Sequence, residues 1–263
     1  MQELFYLCQT PLVRYAISAL IAGGVLAGLL GPLVFMKRIG LVSAGISHSL
    51  LGVVGVGLLL GWNLNYLVMP SAVILAVLMG FIERRASRGY GEVSIALVWS
   101  VGMAVGVLAM SKVKTYAPSA MSYLFGSVFL LRKSDVVLSW LVLGFSLIVL
   151  MLFGRSMTMS VVDEEFAMAQ GLNSAFLYYL LLVLSALTVV VLLKSLGIIL
   201  TIALFLVPAA IAARRARNLC QMFLLSSLFS VLSCILGLFG SLWLDVPVSV
   251  GVVFCLLAFY LIF

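Results

Sequence analysis

The stretch "FLYYLLLVLSALTVVVLLKSLGIILTIALFLVPAAIAA", residues 176–213, holds a single charged side chain, Lys194. Its reading decides the fold. In lipid every backbone N–H and C=O must find a partner within the protein, so only helices and closed barrels cross a membrane. A barrel strand alternates polar and apolar residues over about ten positions. Here the apolar run is continuous and far longer, which specifies helix. A crossing needs about 20 residues, with about 17 as a lower limit. The stretch therefore holds two spans, 176–193 and 196–213, with a tight joint at 193–196.

The rest of the chain reads the same way. Of its 263 residues 65% are hydrophobic and 9% charged. A soluble domain carries about 45–50% apolar and about 25% charged residues, so lipid must be the solvent for most of this surface. The other candidate spans are 15–36, 42–61, 66–82, 93–110, 136–153, 220–242 and 246–263. Residues 119–131, "SAMSYLFGSVFLL", are too short to cross and read as a re-entrant or broken helix. The expected fold is an all-α polytopic bundle of eight or nine spans, forming one membrane domain over residues 1–263. The first residues lack the charged start of a cleavable signal, which points to a polytopic protein and not a secreted one.

Basic residues set the orientation. Alternate threading places Lys37, Arg38, Arg84, Arg85, Arg88, Arg155, Arg214, Arg215 and Arg217 on one side, against Arg14, Lys112, Lys114, Arg132, Lys133 and Lys194 on the other. That bias of nine to six marks the first side as cytoplasmic. The N-terminus is then outside and the C-terminus inside, in a multi-pass protein of the inner (cytoplasmic) membrane. The formal charge of +7 is thereby a membrane signal, and nucleic acid is not an expected partner. Cys8, Cys220, Cys234 and Cys255 have neither metal-site nor redox spacing and read as small buried hydrophobes. Small-residue spacing at Gly24/Gly28, Gly57/Gly61 and Gly102/Gly106 suits close helix contact in lipid.

Three stretches could carry function. Residues 160–173, "SVVDEEFAMAQGLN", form an acidic, amphipathic interruption. Asp163, Glu164 and Glu165 suit the start of a short helix, and Gly171 suits its end. This is either a solvated loop helix or a docking element for a soluble partner. Pro208 lies within the 196–213 span, where it favours a kink. His48 is the only histidine. An ionisable group inside a span tends to face a cavity or pathway, and neutral imidazole binds transition metals. Ser43 and Ser47 are its polar neighbours; Ala44, four residues earlier, shares its helical face. A lone histidine that only bonds a neighbouring helix is the alternative. No paired intramembrane carboxylates, His-Glu-x-x-His site or phosphate-cradling G-x-x-x-x-G-K-[ST] loop occurs, so an enzyme is not expected.

Together these stretches resemble the membrane permease subunits of bacterial ABC importers for zinc, manganese and iron. Residues 19–58, "ALIAGGVLAGLLGPLVFMKRIGLVSAGISHSLLGVVGVGL", are similar to that family's first hairpin, with its basic pair and its serine–histidine. "SYLFGS" at 122–127 is similar to its tyrosine–leucine–phenylalanine–glycine segment. "DEEFAMAQGL" at 163–172 resembles its coupling segment, matching at Asp163, Glu165, Ala167 and Gly171, and "LGIILTIALFLVPAAIAARR" at 196–215 resembles its proline–alanine–alanine signature.

The resemblance implies a permease dimer around a metal pathway lined by His48, Ser47 and Ser43. Separate cytoplasmic ATPase subunits would dock on 163–171, and an extracytoplasmic metal-binding protein would deliver the ion. The metal is then substrate and no cofactor is expected. One departure stands out: the family usually places an aspartate where this chain has Ala44. The passage uses neutral ligands only, or a different permease chain supplies the carboxylate in a heterodimer, or the substrate differs; the heterodimer is slightly favoured. A siderophore or cobalamin permease is the alternative within transport, and a non-transporting intramembrane protein is the alternative outside it.

Overall fold

The computed structural model describes residues 11–86, 90–113, 126 and 128–263. Cys8, Arg88, Lys114 and most of the "SYLFGS" segment lie outside them. The described residues form nine α-helices: α1 Pro11–Lys37, α2 Gly40–Leu59, α3 Leu64–Arg85, α4 Gly91–Lys112, α5 Lys133–Val162, α6 Glu164–Ala169, α7 Ser174–Arg215, α8 Leu219–Leu244 and α9 Val248–Ile262. A single turn of 3-10 helix covers Val128–Leu130. Seven helices among the described residues are long and apolar enough to cross a membrane, counting α7 only to Ile198. α9 is apolar but has 15 residues.

The two spans expected at 176–193 and 196–213 are two helices that follow one another within the 42-residue segment α7, separated by a kink. A straight helix of that length would run about 63 Å, twice the hydrocarbon thickness. Gly197 interrupts it with φ 81° and ψ 174°, a region essentially closed to residues with a side chain. The break therefore falls at the glycine beside the expected joint. Pro208 stays helical and buried in the second leg, although its ring deprives the preceding turn of a hydrogen bond. The backbone of Gly126 lies directly against Leu196 and Gly197.

Contacts fix the direction of each crossing. Lys37 ends α1, Arg84 closes α3 and Glu164 follows α5, and these three are ion-paired. The three helices therefore finish at one end, the basic end. Gly52 and Gly55 of α2 meet Gly102 and Gly106 of α4 in the same order, so these two run parallel, as alternate spans must. Gly24 and Gly28 of α1 meet Val231 and Ser227 of α8 in reverse order, so these two run antiparallel. α7 starts at the basic end, because Tyr178 bonds Glu83.

The contacts divide into two compact units, and α1, α5 and α7 carry the chain from one to the other. One comprises Met1–Pro32, Phe125–Ile148 and Val191–Phe263; the other comprises Leu33–Leu124 and Val149–Val190. In the first, α1 packs on α8 through Gly24 and Gly28, and α8 packs on α9 where Gly237 meets Gly251 and Val252. Lys194 pairs with Asp135 at 2.8 Å, and Arg214 and Arg215 reach the carbonyls of Tyr260 and Phe263. In the second, α2 lies backbone-to-backbone on α4: a Cβ on Gly52 would sit 2.6 Å from the Gly102 carbonyl oxygen, and one on Gly55 equally close to that of Gly106. Lipid gives helices no hydrophobic reason to associate, so close backbone packing supplies the attraction. The Gly57/Gly61 pair is different. Gly57 faces only leucine side chains, and Gly61, at φ 68°, has open space where a side chain would stand and turns the chain after α2.

This packing separates two substitutions that look alike in sequence. Gly52→Ala is expected to destabilise the folded chain by about 1–3 kcal/mol, because the added methyl forces α2 and α4 apart. Gly144 has open space around it, so Gly144→Ala is expected to be neutral or to stabilise α5 by up to about 1 kcal/mol. Thermal unfolding in detergent micelles compares the two; equal losses would contradict the assigned α2–α4 contact.

Candidate functional site

His48 lies eight residues into α2, about 12 Å from that helix's start at the basic end. Its Nδ1 is 2.9 Å from the carbonyl oxygen of Ala44. A carbonyl only accepts, so Nδ1 carries the proton and donates it. The Nε2 lone pair is then free for a cation. The ring rests on the indole of Trp99 in α4, with centroids 4.4 Å apart. Trp99 Nε1–H in turn donates to the thioether of Met103 at 2.9 Å. His48 is half-buried, so the imidazole reaches the surface of this chain with its orientation fixed from two sides.

The two serines named with His48 are placed differently. Ser47 is fully buried, and its hydroxyl donates to the Ala44 carbonyl at 2.8 Å. Its oxygen is 3.3 Å from His48 Nδ1, the ring nitrogen turned toward the helix. Ser43 is buried, with no partner for its hydroxyl. Neither is brought together with Nε2. Trp99 and Met103 are the neighbours that sequence reading missed; their spacing of four suits one helix face, but nothing local ties that face to His48. Among the described residues no group of three or more His, Cys, Asp and Glu side chains is gathered to hold a metal.

At the basic end the chain builds a second arrangement around α6. Asp163 is the N-cap, its carboxylate accepting from the backbone N–H of Phe166 at 2.9 Å. This satisfies one of the donors that a helix start leaves open. At the other end Gly171 takes φ 79°. Its N–H bonds the Met168 carbonyl at 2.9 Å, and the N–H of Leu172 bonds that of Ala167 at 3.0 Å. These paired bonds form the Schellman closure, which favours glycine at this position. Both caps expected from "DEEFAMAQGL" are thus present, on a helix of six residues.

Which way each side chain faces was not legible. Ala167 is completely buried and anchors α6 to its own chain. Glu164 also turns inward: one carboxylate oxygen is 2.6 Å from Lys37 Nζ and the other 3.2 Å from Arg84 Nη2. Lys37 also donates to the Ser160 carbonyl in the last turn of α5 at 3.5 Å, where a cation suits the helix dipole. The Arg84 guanidinium sits 5.3 Å above the ring of Tyr178 in α7, and the Tyr178 hydroxyl donates to Glu83. The Lys37 hydrogen bond holds the Glu164 carboxyl below the usual carboxylate range; partial burial opposes this, and the charges of Lys37 and Arg84 reinforce it. Glu164 is therefore ionised at neutral pH, and its ties are lost only as pH falls through that lowered value.

The outward face of α6 carries Glu165, Phe166 and Met168, with Phe166 50% and Met168 53% exposed. Two large apolar side chains beside a carboxylate, on a helix outside the spans, make a surface suited to a protein partner. The sequence signal for Phe166 and Met168 was their polarity, inverted for a solvated loop helix.

A family model described as the ABC 3 transport family matches residues 9–263. The manganese transport system membrane protein MntC of Listeria monocytogenes is 30% identical over 238 residues, covering 89% of this chain and 83% of that protein. The manganese import system permease protein ScaB of Streptococcus parasanguinis is 29% identical over 257 residues, covering 97% and 90%. Among solved structures, PsaBC from Streptococcus pneumoniae in complex with Fab superposes with a TM-score of 0.89 at 26% identity, covering all of this chain and 95% of that one. The capped α6, the break at Gly197 and the His48 hairpin therefore sit in a chain that matches over nearly its whole length, and this chain belongs to the ABC 3 transport family.

Proposed function

We propose that this chain is the membrane permease subunit of an ATP-driven importer of divalent transition-metal ions. Its relatives in Listeria and Streptococcus are named for manganese transport and import, and family membership supplies the transport class. The observation that carries the reading furthest is α6. It is capped at both ends, held to the helix ends by Glu164, and turned so that Glu165, Phe166 and Met168 face away from the chain. A separate ATPase docks there on the cytoplasmic side, and ATP-driven closing of the ATPase pair shifts the helices between outward-open and inward-open arrangements. The sequence has no phosphate loop of its own, which fits hydrolysis on another chain. An extracytoplasmic protein delivers the ion at the opposite end.

The ion is substrate, passing His48. The free Nε2 is a neutral ligand suited to zinc, manganese or iron alike. Ala44 offers no carboxylate, so further ligands come from water or from a second permease chain facing the half-buried imidazole. A dication in a dry passage needs such partners to offset desolvation.

Two outcomes are expected. Phe166→Asp and Met168→Asp remove apolar contacts at the centre of the docking face, so each should reduce co-purification of the ATPase by roughly tenfold or more; undiminished co-purification contradicts docking on α6. His48→Ala should slow ATP-dependent metal uptake into proteoliposomes by roughly tenfold or more while the complex still assembles. Unchanged uptake returns His48 to a packing role.

A further inference from the structure

We propose that Glu164 is the positioning residue through which displacement of α6 reaches α1 and α3, and through α1 the helix that carries His48. The inference rests on the transport reading given above. A six-residue helix moves whole spans only through what it is attached to. Its chain neighbours are α5, joined through Asp163, and α7, joined through residues 170–173. α1 and α3 are far away in sequence, and Glu164 links them to α6 across 127 and 80 residues.

Among the described residues Glu164 is the only side chain of α6 in an ion pair. Ala167 is buried but can only pack, Asp163 is occupied by its cap, and Phe166 and Met168 face outward. A push on the outer face is therefore passed inward by one side chain that makes directional bonds. Its two oxygens engage different helices, so neither α1 nor α3 can shift alone without breaking one of them.

The connection continues to the pathway. Lys37 is the last residue of α1, and only Arg38 and Ile39 separate it from α2. Arg38 holds a left-handed backbone, φ 60°, and the N–H of Ile39 bonds the Val34 carbonyl at 3.1 Å. The turn is short and internally bonded, so the end of α1 and the start of α2 move together. Two turns further along α2 stands His48. Lys37 also holds the end of α5, and Arg84 lies over Tyr178 of α7. The ends of four long helices thus converge on one carboxylate.

The pairs are only partly shielded: the side chains of Lys37, Glu164 and Arg84 are 19%, 32% and 37% exposed. Ion pairs so exposed add little to stability, so replacing Glu164 leaves the chain folded and separates transmission from folding. The test measures metal moved per ATP hydrolysed in proteoliposomes holding the permease with its ATPase, together with ATPase co-purification. Glu164→Gln is expected to lower metal per ATP by roughly fivefold or more while the ATPase stays attached. Lys37→Met should lower it to a similar degree, and the double variant should lose little more, because both act through one link. Unchanged metal per ATP in Glu164→Gln overturns the proposal. So does loss of the ATPase, which would place Glu164 on the docking face, and so does a double variant whose loss is the sum of two independent ones. The wild-type chain, measured alongside, must move metal; its failure would overturn the transport reading itself.

Discussion

One carboxylate between two cations organises the basic end of this protein. Lys37 and Arg84 stand in the last turns of α1 and α3, where positive charge suits the helix dipole. Glu164 stands in the first turn of α6, where negative charge suits the dipole. Each residue is thus placed by a local rule, and the meeting of the three turns local preference into tertiary geometry. Because they are partly exposed, the bonds matter less as stability than as a fixed spatial relation among helix ends. The outer face of α6, the α1–α2 turn and the His48 hairpin all inherit their positions from that relation.

Within the spans a different constraint operates. Helices in lipid hold together by approach, so glycines cluster where backbones meet: α2 on α4 in one unit and α1 on α8 in the other. Glycine has a second use at Gly197 and Gly171, where the backbone adopts angles that a side chain would oppose. The first separates the two helical legs of α7. The second closes α6 and returns the chain to α7. Spacing alone does not distinguish these uses, as Gly61 illustrates: it sits four residues from Gly57 yet faces no neighbouring helix where a side chain would stand.

The helical fold was readable because lipid leaves the backbone few choices and continuous apolar runs announce the result. The ends were less so. α5 continues to Val162, nine residues past the apolar run ending at 153, because a helix leaves the lipid without leaving its hydrogen-bond pattern. The 193–196 joint was legible as a parity requirement, and its chemistry at Gly197 only from backbone angles. Both caps of α6 were legible because capping is local. The inward turn of Glu164 and the covering of His48 by Trp99 depend on residues about 50 to 130 positions away, and no pattern within the segment encodes them. The Ala44 departure was plain in sequence; the structure adds that its carbonyl orients the imidazole.

The account stands on α6 facing the cytoplasm, where an ATPase can reach it. Cysteine labelling tests this most directly, in chains whose four native cysteines are replaced by alanine. Gln170→Cys at the end of α6 and Trp62→Cys in the α2–α3 turn, both exposed, are treated with a membrane-impermeant maleimide in intact cells and in inside-out vesicles. The account predicts that Cys at 62 reacts in intact cells and Cys at 170 only in the vesicles. Modification of Cys at 170 from outside intact cells would contradict it.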